Sequence, residues 1–154
     1  MTERIANRSK AAAGGNFIDT AYNYTNGTSE KYVGDFVSGD RDRFVIATKY
    51  TLTLRKDDPN AGGNHRKNMM RSVEESLKRV NTGYIDLYWL HMWDFTTPVE
   101  EVLRGMDNLV RAGKVLYVGI SDSQTDLHSL KHELDRGDIA EMRPFGTALD
   151  HSLK

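Results

Sequence analysis

The chain has 154 residues, of which 38% are hydrophobic and 28% charged, and its formal net charge is −1. This balance is typical of one soluble domain with a packed core, and it gives no attraction to nucleic acid or to an anionic membrane surface. The chain contains no cysteine, which excludes a disulfide framework and thiolate chemistry. It also has no apolar run near the ~20 residues that cross a bilayer and no N-terminal signal core, so we expect a cytoplasmic protein.

The first part of the chain predicts a helix, a strand and a second helix. Residues 1–13 are compatible with a helix that ends at a pair of glycines. A short apolar strand follows over residues 16–21, and a polar loop comes next. We expect Thr28 or Ser29 to cap the helix that then runs to about Val37.

The middle of the chain predicts a buried strand, a long loop and the clearest helix. Residues 43–49 contain an uninterrupted apolar run, which suits a strand that is covered on both faces. Residues 50–64 form a long polar loop, and such loops within a compact domain are often functional. Apolar side chains recur at helical spacing through residues 65–80, at Met69, Val73, Leu77 and Val80.

Two more strands follow, with a helix between them. Residues 84–90 predict the third strand and residues 114–120 the fourth. The sequence Thr97-Pro98-Val99-Glu100 predicts a capping box with proline at the first helical position, and Gly113 ends that helix. Because Asp86 places a charge in an otherwise apolar strand, we expect it to have a structural partner.

The strand–helix order repeats four times, which argues for a parallel sheet in a single α/β domain over residues 1–154. A further helix around Leu130 and a fifth strand over residues 145–149 would extend the series. Two closures stay open at this point, a (β/α) barrel and an open doubly wound sheet. The loop at residues 22–27 lacks the G-x-G-x-x-G phosphate turn, which weakens the second. A full (β/α)8 barrel needs roughly 200–250 residues, so this chain would supply about five of eight strands.

Reactive polar residues stand at the carboxyl ends of the predicted strands. In chain order they are Asp19, Lys49, His91 and the pair Ser121 and Asp122. Because parallel strands end at one edge of a sheet, these side chains are expected to converge. Tyr24, on the loop after the first strand, adds a phenol to the group.

This set of side chains suits the reduction of a carbonyl group. A phenol alone is a weak acid at neutral pH, but a lysine ammonium beside it stabilises the phenolate. Asp19 would hold Lys49 charged and aimed, and His91 would orient the carbonyl oxygen. No side chain can donate a hydride, so a nicotinamide cofactor would have to supply it.

Six stretches of the sequence carry the pattern of a known family: GGNFIDTAYNY, SEKYVGDF, VIATKY, RSVEESLKRVNTGYIDLYWLHMWD, TPVEEVLRGMDNLVRAGKVLYVGISD and, more weakly, RPFGTALDHSL. In these stretches the chain resembles the aldo-keto reductases, in the branch of the potassium-channel β-subunits and the aryl-alcohol-dehydrogenase-like enzymes. The resemblance implies a partial (β/α)8 TIM barrel that holds roughly strands two to six. The first strand would precede residue 1, and strands seven and eight would follow residue 154.

The resemblance also implies roles for the residues at the strand ends. The implied catalytic tetrad is Asp19, Tyr24, Lys49 and His91. Within it, Tyr24 is the proton donor and NADPH supplies the hydride. Ser121 and Asp122 would bind the nicotinamide carboxamide, where the family usually has Ser-Asn. An aspartate can accept a hydrogen bond from the carboxamide NH₂ but cannot donate to its oxygen.

Two assignments have alternatives, and one position departs from the family pattern. Trp93 and Tyr50 could line the pocket for an aldehyde or ketone, or they could pack in the core. Tyr22 competes with Tyr24 for the acid role, and the family spacing favours Tyr24. Ala148 aligns where the family often has a glutamine beneath the nicotinamide.

The function has two interpretations. The first is an NADP(H)-dependent oxidoreductase that reduces an aldehyde or ketone to an alcohol. The alternative is a truncated, non-catalytic remnant or regulatory homologue that keeps the tetrad but binds the cofactor poorly. An open five-strand sheet would expose its edges, so such a chain would be unstable or would self-associate. Neither interpretation includes a metal, a nucleic acid or a membrane.

Overall fold

The computed structural model describes residues 14–120, in which parallel strands alternate with helices. The strands are β1 (Phe17–Asp19), β2 (Val45–Tyr50), β3 (Ile85–Leu90) and β4 (Val115–Ile120). The α-helices are α1 (Thr28–Val37), α2 (Arg66–Val80) and α3 (Val99–Arg111). Every strand and helix that the sequence predicts within this range is present. The helix predicted at residues 1–13, the helix near Leu130 and the strand at residues 145–149 lie outside the described residues.

Within the described range, the sheet has the order β1-β2-β3-β4, and all neighbouring strands run parallel. One α-helix connects each strand to the next. The register pairs Asp19 with Ala47 and Lys49 with Trp89, so the strands end at one edge, here called the carboxyl edge. The opposite edge, where the strands begin, is called the amino edge. This confirms the predicted parallel α/β sheet and the strand–helix succession of a barrel.

The core lies between one face of the sheet and the helices. One cluster of buried apolar side chains joins strands β2 and β3 to helices α2 and α3, and it includes Ile46, Tyr50, Tyr88, Leu90, Met69, Val73, Val102 and Met106. The α2 members belong to the apolar stripe that the sequence predicted. Burying an apolar side chain of this size stabilises the fold by roughly 1.5–3 kcal/mol. The stripe therefore determines which side of α2 faces the sheet.

Helix α1 begins differently from the prediction. Its cap position is Gly27, whose φ of +80° lies in the left-handed region that favours glycine. The Thr28 hydroxyl donates to the carbonyl oxygen of Thr25 at 2.7 Å, and the Ser29 hydroxyl hydrogen-bonds to the hydroxyl of Thr20 at 2.8 Å. The prediction that Thr28 or Ser29 caps α1 is therefore wrong, because the preceding residues already engage both hydroxyls.

The predicted capping box at the start of α3 is also wrong. The Thr97 hydroxyl donates to the carboxylate of Asp94 at 2.7 Å, and Glu100 forms an ion pair with Arg104 at 2.5 Å. The helix begins without a side-chain cap. The physical reason is that Asp94, earlier in the same loop, takes the hydroxyl that the capping box would use.

Helix α1 packs against the end of α2 through a glycine. A Cβ atom at Gly34 would lie 2.4 Å from the carbonyl oxygen of Val80, so no larger residue fits without a backbone shift. This close approach brings Glu30, one turn earlier in α1, to 3.0 Å from the guanidinium of Arg79. The packing of the two helices thus creates a buried ion pair behind the sheet.

A second, partly buried ion pair joins the starts of β2 and β3 at the amino edge. Asp86 accepts from Arg41 at 2.6 Å and from the backbone N–H of Ile46 at 2.9 Å, which confirms the expected structural partner. The same guanidinium donates to the carbonyl oxygens of Phe44 and Tyr84. Arg41 therefore ties the segment before β2 to β3.

Among residues 14–120, no helix combines the length and the apolar character that a membrane span needs. The same residues bring no three His, Cys, Asp or Glu side chains together as metal ligands.

Candidate active site

The carboxyl edge is built around Lys49, near the end of β2. Its side chain is buried, and Nζ donates to Oδ2 of Asp19 at 2.5 Å and to the carbonyl oxygen of Thr20 at 2.9 Å. A buried ammonium needs such partners because desolvation otherwise disfavours its charge. The carboxylate of Asp19 is 47% exposed, so the pair opens to solvent on one side. The predicted pairing of Asp19 with Lys49 is present in the structure.

Tyr24 lies beside this pair on the loop after β1. The Nζ atom of Lys49 is 5.2 Å from the centroid of the Tyr24 ring. The imidazole of His91 meets the same ring edge-on, with the centroids 5.9 Å apart at 77°. Tyr24 is 36% exposed, so a ligand at this edge can reach it. The structure thus places Lys49 and His91 beside the ring of Tyr24, with Asp19 paired to Lys49.

The loop that carries Tyr24 has an unusual backbone. Thr25 and Asn26 have φ values of +46° and +56°, and Gly27 follows at +80°. Three successive residues in the left-handed region turn the chain sharply after Tyr24. The start of the loop remains attached to β2, because the N–H of Tyr22 donates to the carbonyl oxygen of Lys49 at 3.0 Å. This link fixes the start of the loop to the strand that carries the lysine.

Tyr22, the competing tyrosine, points away from this edge into the protein. It is buried, and its hydroxyl donates to Glu75 at 2.6 Å while the guanidinium of Arg79 lies 4.3 Å from its ring centroid. Burial, together with the hydrogen bond to Glu75, raises the pKa of the Tyr22 phenol. A buried phenol of this kind is a poor proton donor to a ligand. The position of Tyr22 therefore fits packing.

Sequence reasoning missed a buried polar cluster behind this loop. Glu30 is fully buried; it accepts from the Thr48 hydroxyl at 2.7 Å and from Arg79 at 3.0 Å. Arg79 also donates to Glu75, four residues earlier in α2, at 3.3 Å. Only that last pair has a signal in the sequence, because residues four apart on a helix are neighbours. The Glu30 contact depends on the packing of α1 against α2.

The loop after β3 is organised by Asp94, which the sequence analysis did not single out. Its carboxylate accepts from the N–H groups of Asn64, Thr96 and Thr97 and from the Thr97 hydroxyl, at 2.7–2.9 Å. Burial alone would raise the pKa of Asp94, but these hydrogen bonds hold that pKa well below its ordinary value. Asp94 thereby joins the loop after β3 to the long loop after β2.

The two predicted pocket aromatics both belong to the core. Tyr50 is 0% exposed, its ring stacks on Tyr88 with the centroids 5.3 Å apart, and its hydroxyl donates to the carbonyl oxygen of Asn64 at 3.3 Å. Burial raises the pKa of the Tyr50 phenol far above its ordinary value. Tyr50 has no exposed surface in this structure, which agrees with core packing, the second of the two alternatives that the sequence left open. Trp93 is nearly as buried, whereas Phe95, two residues later, is 76% exposed.

The residues predicted to hold the cofactor, Ser121 and Asp122, lie outside the described residues, as does Ala148. They directly follow β4, whose carboxyl end lies at the same edge as the other strand ends. Within the described part, the edge presents a phenol, an ammonium, a carboxylate and an imidazole around an open side. This arrangement can bind a polarised oxygen and transfer a proton to it.

A family profile described as "Aldo/keto reductase family" matches residues 4–136. Over 118 residues the chain is 52% identical to norsolorinic acid reductase stcV of Emericella nidulans, covering 72% of this chain and 30% of the relative. Over 121 residues it is 45% identical to the NADP(+) aryl-alcohol dehydrogenase of Phanerodontia chrysosporium, covering 72% of this chain and 31% of that relative. The chain thus spans less than a third of the length of these two relatives.

The fold also matches a solved structure. The crystal structure of an aldo-keto reductase from Klebsiella pneumoniae in complex with NADPH superposes with a TM-score of 0.72 at 33% identity. The superposition covers 84% of this chain and 43% of that chain. The resemblance stated from the motifs is thereby confirmed. Because the family profile extends over most of the sequence and the fold agrees, the chain belongs to the aldo/keto reductase family.

Proposed function

We propose that this chain carries the catalytic edge of an NADP(H)-dependent reductase that converts an aldehyde or ketone to an alcohol. The observation that supports the proposal most directly is the ion pair between the buried Lys49 and the half-exposed Asp19, with the Lys49 ammonium beside the ring of Tyr24. The names of the relatives also support it, since one is a reductase and another an NADP(+) aryl-alcohol dehydrogenase. An aryl aldehyde is therefore the substrate class to test first.

In this proposal each member of the tetrad has one task. Tyr24 donates its hydroxyl proton to the carbonyl oxygen as the carbonyl carbon gains a hydride, and the products are an alcohol and a phenolate. The Lys49 ammonium stabilises that phenolate, because it lies 5.2 Å from the ring centroid. Asp19 holds the ammonium in place, and His91 orients the carbonyl oxygen.

The residues at the carboxyl edge fit the reactive end of a nicotinamide cofactor. The exposed side of Asp19 and the partly exposed ring of Tyr24 are the groups that a bound nicotinamide ring would contact in this proposal. When bound, NADPH supplies the hydride that no side chain can donate. Ser121 and Asp122 are proposed to hold the carboxamide, with Asp122 accepting from its NH₂ group. Trp93 stays a candidate for substrate contact because it follows His91 in the same loop.

The test replaces Tyr24 with phenylalanine and uses Tyr22→Phe as the matched control. We expect Tyr24→Phe to lower kcat for NADPH-dependent reduction of 4-nitrobenzaldehyde by about 10²–10⁴-fold, with NADPH affinity retained. Tyr22→Phe, which removes a buried hydroxyl, should change kcat far less.

Cofactor affinity, measured by titrating NADPH fluorescence, separates the enzyme from the alternative interpretation. Saturable binding together with loss of turnover in Tyr24→Phe supports the enzyme. Equal turnover in Tyr24→Phe and the unmodified chain contradicts the assignment of Tyr24 as the acid. Absence of saturable binding favours the remnant or regulatory homologue.

The proposal also covers the cellular location of the protein and its partners. A chain without cysteine and with a net charge of −1 suits the cytoplasm and a small carbonyl substrate, without a nucleic-acid partner. In the described sheet, the outer strands β1 and β4 carry the exposed side chains Phe17, Leu116 and Tyr117. Self-association through these edges is part of the proposal. Sedimentation velocity over a range of protein concentrations tests it, and a monomer at every concentration contradicts it.

A further inference from the structure

One guanidinium, that of Arg79 in α2, supports the loop that carries Tyr24. Its Nη1 donates to the carbonyl oxygen of Tyr22 at 2.9 Å, and its Cζ lies 4.3 Å from the centroid of the Tyr22 ring. These contacts hold both the backbone and the side chain of Tyr22, two residues before Tyr24. Arg79 therefore fixes the start of the loop.

The same guanidinium also contacts the end of the loop. A Cβ atom added at Gly27 would lie 2.9 Å from Cζ and 3.0 Å from Nη1 of Arg79. The Gly27 backbone therefore lies directly against the guanidinium, and its φ of +80° is one that larger residues rarely adopt. Tyr24 lies between the two points at which Arg79 touches the chain.

This loop needs support from outside because its own backbone is strained. Thr25 is a β-branched residue with φ of +46°, and Asn26 follows with φ of +56°. Such conformations persist only where the surrounding structure holds them in place. The side chains of Thr25 and Asn26 are exposed. The Thr28 hydroxyl holds the carbonyl oxygen of Thr25 at 2.7 Å, and Arg79 contacts the two ends of the loop from beneath.

The position of Arg79 is itself set by β2, the strand that carries Lys49. Arg79 donates to Oε2 of the fully buried Glu30 at 3.0 Å, and Oε1 of Glu30 accepts from the Thr48 hydroxyl at 2.7 Å. Thr48 immediately precedes Lys49. The chain of contacts therefore runs from the strand of Lys49, through Glu30 and Arg79, to the loop of Tyr24.

We infer that Arg79 is a positioning residue, which sets the placement of Tyr24 relative to Lys49 through the loop at residues 22–27. This inference rests on the proposed function, in which Tyr24 is the acid. Arg79 touches neither the carbonyl nor the cofactor in that proposal. Its effect on the reaction is therefore an effect on geometry, and kcat should respond while cofactor affinity does not.

The first experiment replaces Arg79 with methionine and uses Arg41→Met as the matched control. Both arginines are 17% exposed, and both lie 4.3 Å from a tyrosine ring centroid, but Arg41 is at the amino edge. We expect Arg79→Met to lower kcat by about 10–10²-fold per folded molecule, with KM for NADPH little changed. Arg41→Met should leave kcat per folded molecule unchanged. Arg79→Lys, which keeps the charge but not the planar fork, should give an intermediate kcat.

The second experiment alters the contact between Gly27 and Arg79 from the loop side, so it remains informative if Arg79→Met does not fold. Gly27→Ala places a methyl group against the guanidinium and should lower kcat in the same way. In the double variant Gly27→Ala with Arg79→Lys, the losses should be smaller than the product of the two single losses, because both act on one contact. Losses that simply multiply contradict the inference, as does an Arg79→Met kcat equal to that of Arg41→Met.

Amide hydrogen exchange separates a failure of this inference from a failure of the proposed function. In Arg79→Lys, exchange at Thr25, Asn26 and Gly27 should accelerate at least about tenfold, while exchange in β3 stays unchanged. Unchanged exchange in the loop contradicts the inference even where turnover is normal. If the unmodified chain reduces no aldehyde but loop exchange accelerates as expected, the positioning contact stands and the assignment of the reaction fails.

Discussion

Two arginines hold opposite edges of the same sheet in almost the same way. Each guanidinium stacks on a tyrosine ring at 4.3 Å and pairs with a buried or nearly buried carboxylate, Arg41 with Asp86 and Arg79 with Glu30. They differ in what else they touch. Arg41 donates to carbonyl oxygens where β2 and β3 begin, whereas Arg79 donates to the carbonyl oxygen of the loop that carries Tyr24.

The comparison separates stability from catalysis within one structural motif. In parallel α/β barrels the amino edge chiefly serves stability, and the carboxyl edge carries the chemistry. A buried ion pair is weak evidence for either role, because the cost of desolvating two charges can equal or exceed their attraction. What its removal does depends on the groups that it holds in place. Substitutions at the two edges should therefore affect different measurements.

The largest effect is expected from Lys49→Met at the carboxyl edge. Methionine keeps most of the buried volume but removes the ammonium beside Tyr24, so kcat for 4-nitrobenzaldehyde reduction should fall by about 10³-fold. The half-exposed carboxylate of Asp19 returns to water, so the free energy of unfolding should stay the same or rise. Urea denaturation alongside steady-state kinetics measures both quantities. If Lys49→Met lowered the free energy of unfolding but kept its kcat, the result would contradict the catalytic role proposed for the carboxyl edge.

The next largest effect is expected from Arg41→Met at the amino edge. The change leaves the Asp86 carboxylate with one backbone N–H donor. It also removes the guanidinium from the carbonyl oxygens of Phe44 and Tyr84, of which Tyr84 keeps the hydroxyl of Thr82 as a donor. The free energy of unfolding should fall by about 3 kcal/mol, with kcat per folded molecule unchanged. Urea denaturation measures this as a lower midpoint at constant m.

The control for Arg41→Met is Arg104→Met, which breaks an exposed ion pair with Glu100. That change should cost no more than about 0.5 kcal/mol. Equal losses in the two variants would mean that the contacts of Arg41 add nothing beyond those of a surface pair.

The two edges also differ in how far the sequence could predict them. Asp19, Lys49 and His91 are predictable because each stands where an apolar strand ends, and topology alone brings strand ends together. Glu30 and Arg79 look like ordinary charges on exposed helix faces. Their burial follows from the close approach of α1 and α2 at Gly34, which no local pattern encodes.

Hydroxyl partners were predicted least well. The sequence suggested Thr97 as a helix cap, and capping rules treat such a residue as free to bond its own helix. In the structure, that hydroxyl donates instead to Asp94 in the preceding loop. The outcome depends on the path of the loop after β3, which is set by contacts to Asn64 in another loop. The sequence could not decide between pocket and core for Tyr50 for a similar reason, since its ring stacks on Tyr88 of the neighbouring strand.

A smaller effect, dependent on pH, is expected from Asp94→Asn. Its hydrogen bonds hold the pKa of Asp94 below the unfolded value of about 3.9, so the folded state favours the charged form. Its contribution to stability is therefore fully present above about pH 4 and is lost as the pH falls below that value. Asp94→Asn should lower the free energy of unfolding by about 1–2 kcal/mol at pH 7.

The pH profile of unfolding checks the charge of Asp94. Between about pH 5 and pH 2, the stability difference between the unmodified chain and Asp94→Asn should shrink as the carboxylate takes up its proton. Urea denaturation at a series of pH values measures that difference. A difference that stays constant over this range would show that hydrogen-bond geometry, and not the charge of Asp94, holds the two loops together.

The smallest effect is expected at the ends of α1, where two hydroxyls make equivalent hydrogen bonds. The Thr28 hydroxyl donates to the carbonyl oxygen of Thr25 at 2.7 Å, and the Ser38 hydroxyl donates to that of Asp35 at 3.0 Å. Thr28→Val and Ser38→Ala should each cost about 0.5 kcal/mol of stability, because both bonds are exposed to water. Only Thr25 belongs to the loop of Tyr24, so only Thr28→Val should lower kcat, by about twofold. Steady-state kinetics at matched folded fraction measure this difference in kcat. An equal kcat in both variants would mean that the Thr28 hydrogen bond does not help to hold the loop and that the Arg79 contacts suffice.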